Sequence, residues 1–161
     1  MTIRKLTTND KKSYLSLFNE VKAGIDPLWF MPDEAEMIEF LGQKECTILG
    51  AFSKDGELMG YAAILAVSPE IEDVKQMFGK TGAVCEVGLA MVLPKFRPQL
   101  PIARIYRDLL EWARSVGFET LIATAHPDNR ASCKLCEYAG MKLVATKMLG
   151  KYLRNFYTLE L

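Results

Sequence analysis

Residues 86–141 read EVGLAMVLPKFRPQLPIARIYRDLLEWARSVGFETLIATAHPDNRASCKLCEYAGM, and the order of elements in this stretch decides the fold. Residues 86–92 hold Val87, Leu89, Met91 and Val92 in a short apolar run, the composition of a buried strand. Pro94 ends it, and Pro98 and Pro101 punctuate the loop that follows. A first helical turn accepts proline because that N–H has no helical partner, so Pro101 predicts a helix start. Ile102, Ile105, Tyr106, Leu109, Leu110 and Ala113 then recur at helical spacing and define one apolar face. Arg104, Arg107, Asp108, Glu111 and Arg114 lie mainly opposite. Gly117 predicts the C-terminal cap. Residues 120–125 form a second short strand, and Asn129 or Asp128 caps a second helix that ends at Gly140. Strand, helix and strand within about forty residues make a βαβ-like unit. The loop between its first strand and helix faces the positive end of a helix dipole, which suits an anion such as a phosphate.

The rest of the chain supplies elements to pack around that unit. Residues 2–6 read as a strand, and Thr7, Thr8 and Asn9 offer capping side chains for a helix marked by Tyr14, Leu15, Leu17, Phe18 and Val21. Residues 25–32, IDPLWFMP, form an aromatic-rich loop in which Trp29 and Phe30 pack over the core edge in the favoured reading and line a groove in the other. Residues 33–41 predict a second helix with Met37, Ile38 and Leu41 as its apolar stripe and Asp33, Glu34 and Glu36 in or near its first turn. Residues 46–52 and 58–67 read as strands joined through Asp55-Gly56, a strong hairpin signal. Residues 68–82 are a polar connection with a short helical turn around residues 74–78, and residues 142–148 and 152–161 form a final hairpin turning at Leu149-Gly150-Lys151. The expectation is one domain over residues 1–161: an α+β unit in α/β/α layers, with a mixed sheet of about six or seven strands flanked by about four helices.

Composition narrows the class. Apolar residues are 50% of the 161, enough for a real core, and twenty basic side chains balance twenty acidic ones. Neither nucleic acid nor an anionic membrane surface is implied as the main partner. No apolar run approaches the ~18 residues that span a bilayer. The N-terminus lacks a signal peptide's apolar core, so the expected location is the cytoplasm. Cys133-x-x-Cys136 has a spacing used for metal or redox chemistry, yet it falls inside a predicted helix, and His126 is the one histidine. Reduced thiols packing as small apolar groups are the better account of these two and of Cys46 and Cys85, and no metal is expected.

The residues of the quoted stretch resemble the GNAT superfamily of acyl-CoA-dependent N-acetyltransferases. Val92-Leu93-Pro94, followed by Arg97 and a helix, is similar to that family's strand, V-x-P, phosphate loop and helix. Asn129-Arg130-Ala131-Ser132 with Gly140-Met141, and the run from Trp112 to Phe118, resemble the subgroup that acetylates ribosomal-protein N-termini. The resemblance covers essentially the whole chain. One departure has physical meaning. Where the family has R-x-x-G-x-G/A, this chain has Arg97-Pro98-Gln99-Leu100-Pro101-Ile102, with Leu100 and Ile102 at the glycine positions. Glycines let a backbone adopt φ > 0 and approach a ligand, and each proline removes one N–H from the set that holds a pyrophosphate.

The resemblance implies acetyl transfer from acetyl-CoA to a primary amine on a protein N-terminus, a lysine or a small molecule. It places the backbone of Ala90, Met91 and Val92 against the pantetheine arm, and Arg97, Pro98, Gln99, Leu100, Ile102 and Ala103 around the pyrophosphate. Asn129 matches a cofactor-contacting asparagine and equally reads as a helix cap. Glu86 is the candidate base, acting through water, and Ser132 the candidate acid, with Cys136 standing where many members carry a tyrosine. The alternative from another class is a protein of this fold that no longer catalyses and binds a partner or another ligand, which the lost glycines favour. The terminal hairpin and the aromatic loop are the surfaces offered for a homodimer.

Overall fold

The computed structural model describes residues 1–29 and 31–161. Phe30, offered above as a groove residue, lies outside the described residues. In chain order the elements are β1 (Thr2–Lys5), α1 (Lys11–Lys22), α2 (Glu34–Gly42), β2 (Cys46–Phe52), β3 (Leu58–Leu65), α3 (Pro69–Phe78), β4 (Val84–Val92), α4 (Pro101–Ser115), β5 (Thr120–Ala125), α5 (Arg130–Tyr138), β6 (Lys142–Leu149) and β7 (Tyr152–Glu160), with 3-10 turns at Thr8–Asp10 and Pro94–Gln99.

The seven strands form a single sheet in the order β1-β2-β3-β4-β5-β7-β6. All neighbours are antiparallel except β4 and β5, which run parallel because α4 carries the chain back between them. The α4 face works as its spacing predicts: Ile105, Tyr106, Leu109 and Ala113 are buried and pack with Ala62, Ile64 and Val87 of the sheet. Gly117, at φ 92°, ends the helix. On the opposite face, Tyr14, Leu17, Phe18 and Val21 of α1 join Met37 of α2 against Ile48, Tyr61 and Met91. The α/β/α layering follows from these two apolar faces.

Two local expectations change. Residues 68–82 hold a full ten-residue helix, α3, rather than a short turn. Ser68 caps it by accepting from the Ile71 N–H at 3.2 Å, Pro69 opens it, and Gly79 closes it at φ 61°. In α2, Ile38 faces solvent, and Phe40 packs with Met37 and Leu41 instead. The helix is a single short one pinned by a capping box between Asp33 and Glu36, and that pin sets its rotation.

Candidate active site

The site begins with a break in the sheet. The β4–β5 register runs only through Val84↔Thr120, Cys85↔Leu121 and Glu86↔Ile122. Beyond it β4 continues to Val92 and β5 to Ala125, so the two strands part as a wedge. On its other edge β4 pairs Gly88 with Ala63 and Met91 with Tyr61, so Leu89 and Ala90 face Ala62 alone, two residues against one, which is a bulge. Leu89 accommodates it at φ 52°, a backbone region costly for a residue with a Cβ. A cavity of about 410 Å³ fills the wedge.

Glu86 sits at the last paired position and lines that cavity, with 8% of its surface exposed. Burial, and Glu70 beside it, push its carboxyl from an ordinary 4.5 up to about 8. The Ser68 hydroxyl and the Arg154 guanidinium act in the opposite sense. Arg154 reaches in from β7 and is fixed on β5: its Nη2 donates to the Thr124 carbonyl at 2.8 Å and to Thr124 Oγ1 at 2.9 Å, and its Nε to Oγ1 at 3.3 Å. Burial lowers its own pKa, and Glu86 and Glu70 act to raise it.

The start of α5 forms another wall. Asn129 Oδ1 accepts from the Ser132 N–H at 3.1 Å, so the asparagine caps the helix while also lining the cavity. Ser132 lines the same space, and its hydroxyl makes no hydrogen bond among the described residues. Cys136, one turn on, is buried, and burial pushes its thiol up to about 12, with Cys133 and Glu137 adding to the effect. Cys136 lines the cavity as well, so two donors stand there: a Ser132 hydroxyl without a hydrogen bond among the described residues, and a thiol only 3% exposed. Tyr138 points away, 75% exposed.

The structure therefore brings Glu86, Ala90, Met91, Asn129 and Ser132 into one cavity. It leaves Val92 outside the lining, paired with Gly60 on β3. Arg97, Pro98, Gln99 and Leu100 are exposed at the far end of β4, with Ile102 and Ala103 half-buried at the start of α4. Leu100 takes φ 50°, the left-handed conformation that its missing glycine would supply. The amides near it are committed inward: Leu100 N–H donates to the Arg97 carbonyl at 3.0 Å and Ala103 N–H to the Leu100 carbonyl at 3.2 Å. Pro98 and Pro101 have no N–H to give. Trp29 turns out to line the cavity rather than only cover the core edge.

Sequence reasoning passed over Arg154, Thr124 and Ser68 as site residues. The available signal is an arginine inside a strand rich in aromatic and aliphatic residues, YLRNFYTLE. Among the described residues no helix is long and apolar enough to cross a membrane.

The acetyltransferase (GNAT) family profile matches residues 13–141. No curated protein sequence matches the chain. Among solved structures, a ribosomal-protein-alanine N-acetyltransferase from Brucella melitensis superposes with a TM-score of 0.76 at 22% identity, each chain covered in full at 100%. A GCN5-related N-acetyltransferase from Kribbella flavida gives 0.75 at 19% identity, with 99% of this chain and 97% of that chain covered. A putative acetyltransferase from Salmonella typhimurium, solved with its cofactor acetyl-CoA, gives 0.73 at 17% identity over 99% of this chain and 92% of that one. At these identities the likeness is one of fold.

Proposed function

The chain belongs to the GNAT acetyltransferase family, and on that premise we propose that it is an acetyl-CoA-dependent N-acetyltransferase moving an acetyl group to a primary amine. The observation that supports this most is the buried Glu86 carboxyl at the closed end of the wedge, held near neutrality by its surroundings. A base poised near the working pH takes a proton best without being lost to permanent protonation. In this reading Glu86 receives the amine's proton through a water, and the Ser132 hydroxyl gives one to the departing thiolate. The backbone of Ala90 and Met91, freed from β5 by the wedge, positions the pantetheine arm, and Asn129 borders it. Acetyl-CoA supplies the acetyl group as a thioester.

The fit of the chain to that cosubstrate is uneven along its length. The wedge offers strand edges for an extended arm. The loop from Arg97 to Ala103 has two prolines and two amides already bonded inward, so the charge of Arg97 has to carry more of the diphosphate. That observation favours a second reading, a protein of this fold that binds a partner or another ligand without catalysing.

Calorimetric titration with acetyl-CoA, followed by thiol release against an amine panel, separates the two. Micromolar binding, about −8 kcal/mol, with amine-dependent thiol release is the expected result. No heat and an unmoved melting temperature at millimolar acetyl-CoA would sink the enzyme reading in favour of the second.

A further inference from the structure

The acceptor half of the cavity carries its own chemistry. Resting on the acyl-transfer reading above, we propose that the acceptor is a primary amine with a bulky apolar substituent and no acid group beside the amine.

Three features converge on that class. Ile25, Trp29 and Met31, with Phe40 of α2 and Val67 just beyond β3, give the cavity an apolar wall. Val67 is 70% exposed and Trp29 half-exposed, so this wall has apolar surface still to be covered. A small hydrophilic amine leaves it wet, whereas an aromatic or branched body buries it.

The charges select against acids. Glu36, Glu70 and Glu86 line the cavity with one cation, Arg154, among the described lining residues. Even with Glu86 protonated, two carboxylates face one guanidinium. A carboxylate on the ligand meets like charge there, and an ammonium is drawn in.

The one cation is also already committed. Both Nε and Nη2 of Arg154 are spent on Thr124, and its remaining field falls on Glu86 and Glu70. It is held as part of the wall with only Nη1 outside these bonds, which leaves no free fork for a two-pronged clamp on an amino acid's carboxylate. A second cavity of about 360 Å³ shares Glu70 and Arg154 with the first and is also lined by Lys151 and Tyr152. The apolar wall and the charges recognise the amine-bearing end alone, so the same chemistry is open to a small arylalkylamine and to a peptide whose first residue is large and apolar.

The test is calorimetric binding of four probes to the full chain, with and without CoA: 2-phenylethylamine, the amide of the dipeptide Phe-Gly, free phenylalanine and ethylamine. We expect 2-phenylethylamine to bind at least tenfold more tightly than phenylalanine, which adds the acid group, and than ethylamine, which lacks the apolar body. The dipeptide amide binding more tightly than 2-phenylethylamine assigns a peptide source, and the reverse a small amine; either supports the class. Phenylalanine or ethylamine binding as well as 2-phenylethylamine, or no amine binding at all, overturns it. Glu70→Gln keeps the side-chain volume and should lower the 2-phenylethylamine-over-phenylalanine ratio several-fold; an unchanged ratio removes the charge argument. Acetyl-CoA binding is read separately, so its absence alongside selective amine binding counts against the reaction and not against the acceptor class.

Discussion

Arg154 donates from Nη2 to the Thr124 carbonyl at 2.8 Å, which ties a largely buried cation of β7 to the stretch of β5 that lines the wedge. Its charge favours the ionised form of Glu86 and partly offsets what burial and Glu70 do. Arg154→Gln should therefore raise the Glu86 pKa and move the acid limb of the kcat/KM–pH profile to higher pH. Thr124→Ala removes the hydroxyl contacts but leaves the charge and the carbonyl in place, so its profile should stay near that of the wild type. A profile for Arg154→Gln that overlays the wild type would show that the arginine acts only as a brace.

Glu86 also leaves a signature in stability. Its folded value, about 8, lies above the ordinary 4.5, so the fold favours the protonated form. The stability this gives is fully present below the ordinary value and is lost as pH rises through about 8. Replacing it with glutamine, which resembles the neutral acid in shape, removes the titration. Between pH 6 and pH 9 the variant should gain on the wild type by about 1 kcal/mol or more, seen as about 2–4 °C or more in melting temperature. A constant gap across that range would mean the carboxyl is not perturbed as its burial implies.

Leu100 holds a left-handed backbone at φ 50° with 63% of its surface exposed. Its side chain loses little by removal, and a Cβ there costs roughly 1–2 kcal/mol, part of which a glycine returns through the freer unfolded chain. Leu100→Gly should be neutral to stabilising by about 1 kcal/mol, whereas most glycine substitutions destabilise. If the loop also receives a diphosphate, acetyl-CoA should bind the variant several-fold more tightly in a calorimetric titration. A clear loss of stability would show that the side chain packs in solution against something that offsets its strain.

The fold was legible where local chemistry and tertiary packing agreed. Pro101, the Ile105–Tyr106–Leu109 face and Gly117 each act within a few residues of themselves, and the βαβ unit follows from them. The sequence shows only a short turn of α3 because its inner stripe is thin, with Ile71 and Val74 buried among acidic residues, although Ser68, Pro69 and Gly79 mark both of its ends. The site was legible only by halves. Glu86, Asn129 and Ser132 carry recognisable residue types at recognisable places. The bulge at Leu89 depends on how β3 pairs with β4, and Arg154 finds Thr124 from thirty residues away. No local pattern encodes either contact.

Asn129 carries two candidate roles, and two substitutions separate them. Its Oδ1 accepts from the Ser132 N–H at 3.1 Å, which makes it the cap of α5. Asn129→Ala should cost about 1 kcal/mol and lower the melting temperature by about 2–4 °C. Asn129→Ser keeps a capping oxygen and should hold stability close to wild type. If the amide also contacts acetyl-CoA, both variants should bind it several-fold more weakly, because serine restores the cap but not the amide. Binding that follows stability, weak in the alanine variant and intact in the serine one, would assign Asn129 to the cap alone. The placement of Ser132 would then be its whole contribution, since the capped first turn of α5 is what holds that hydroxyl in the cavity.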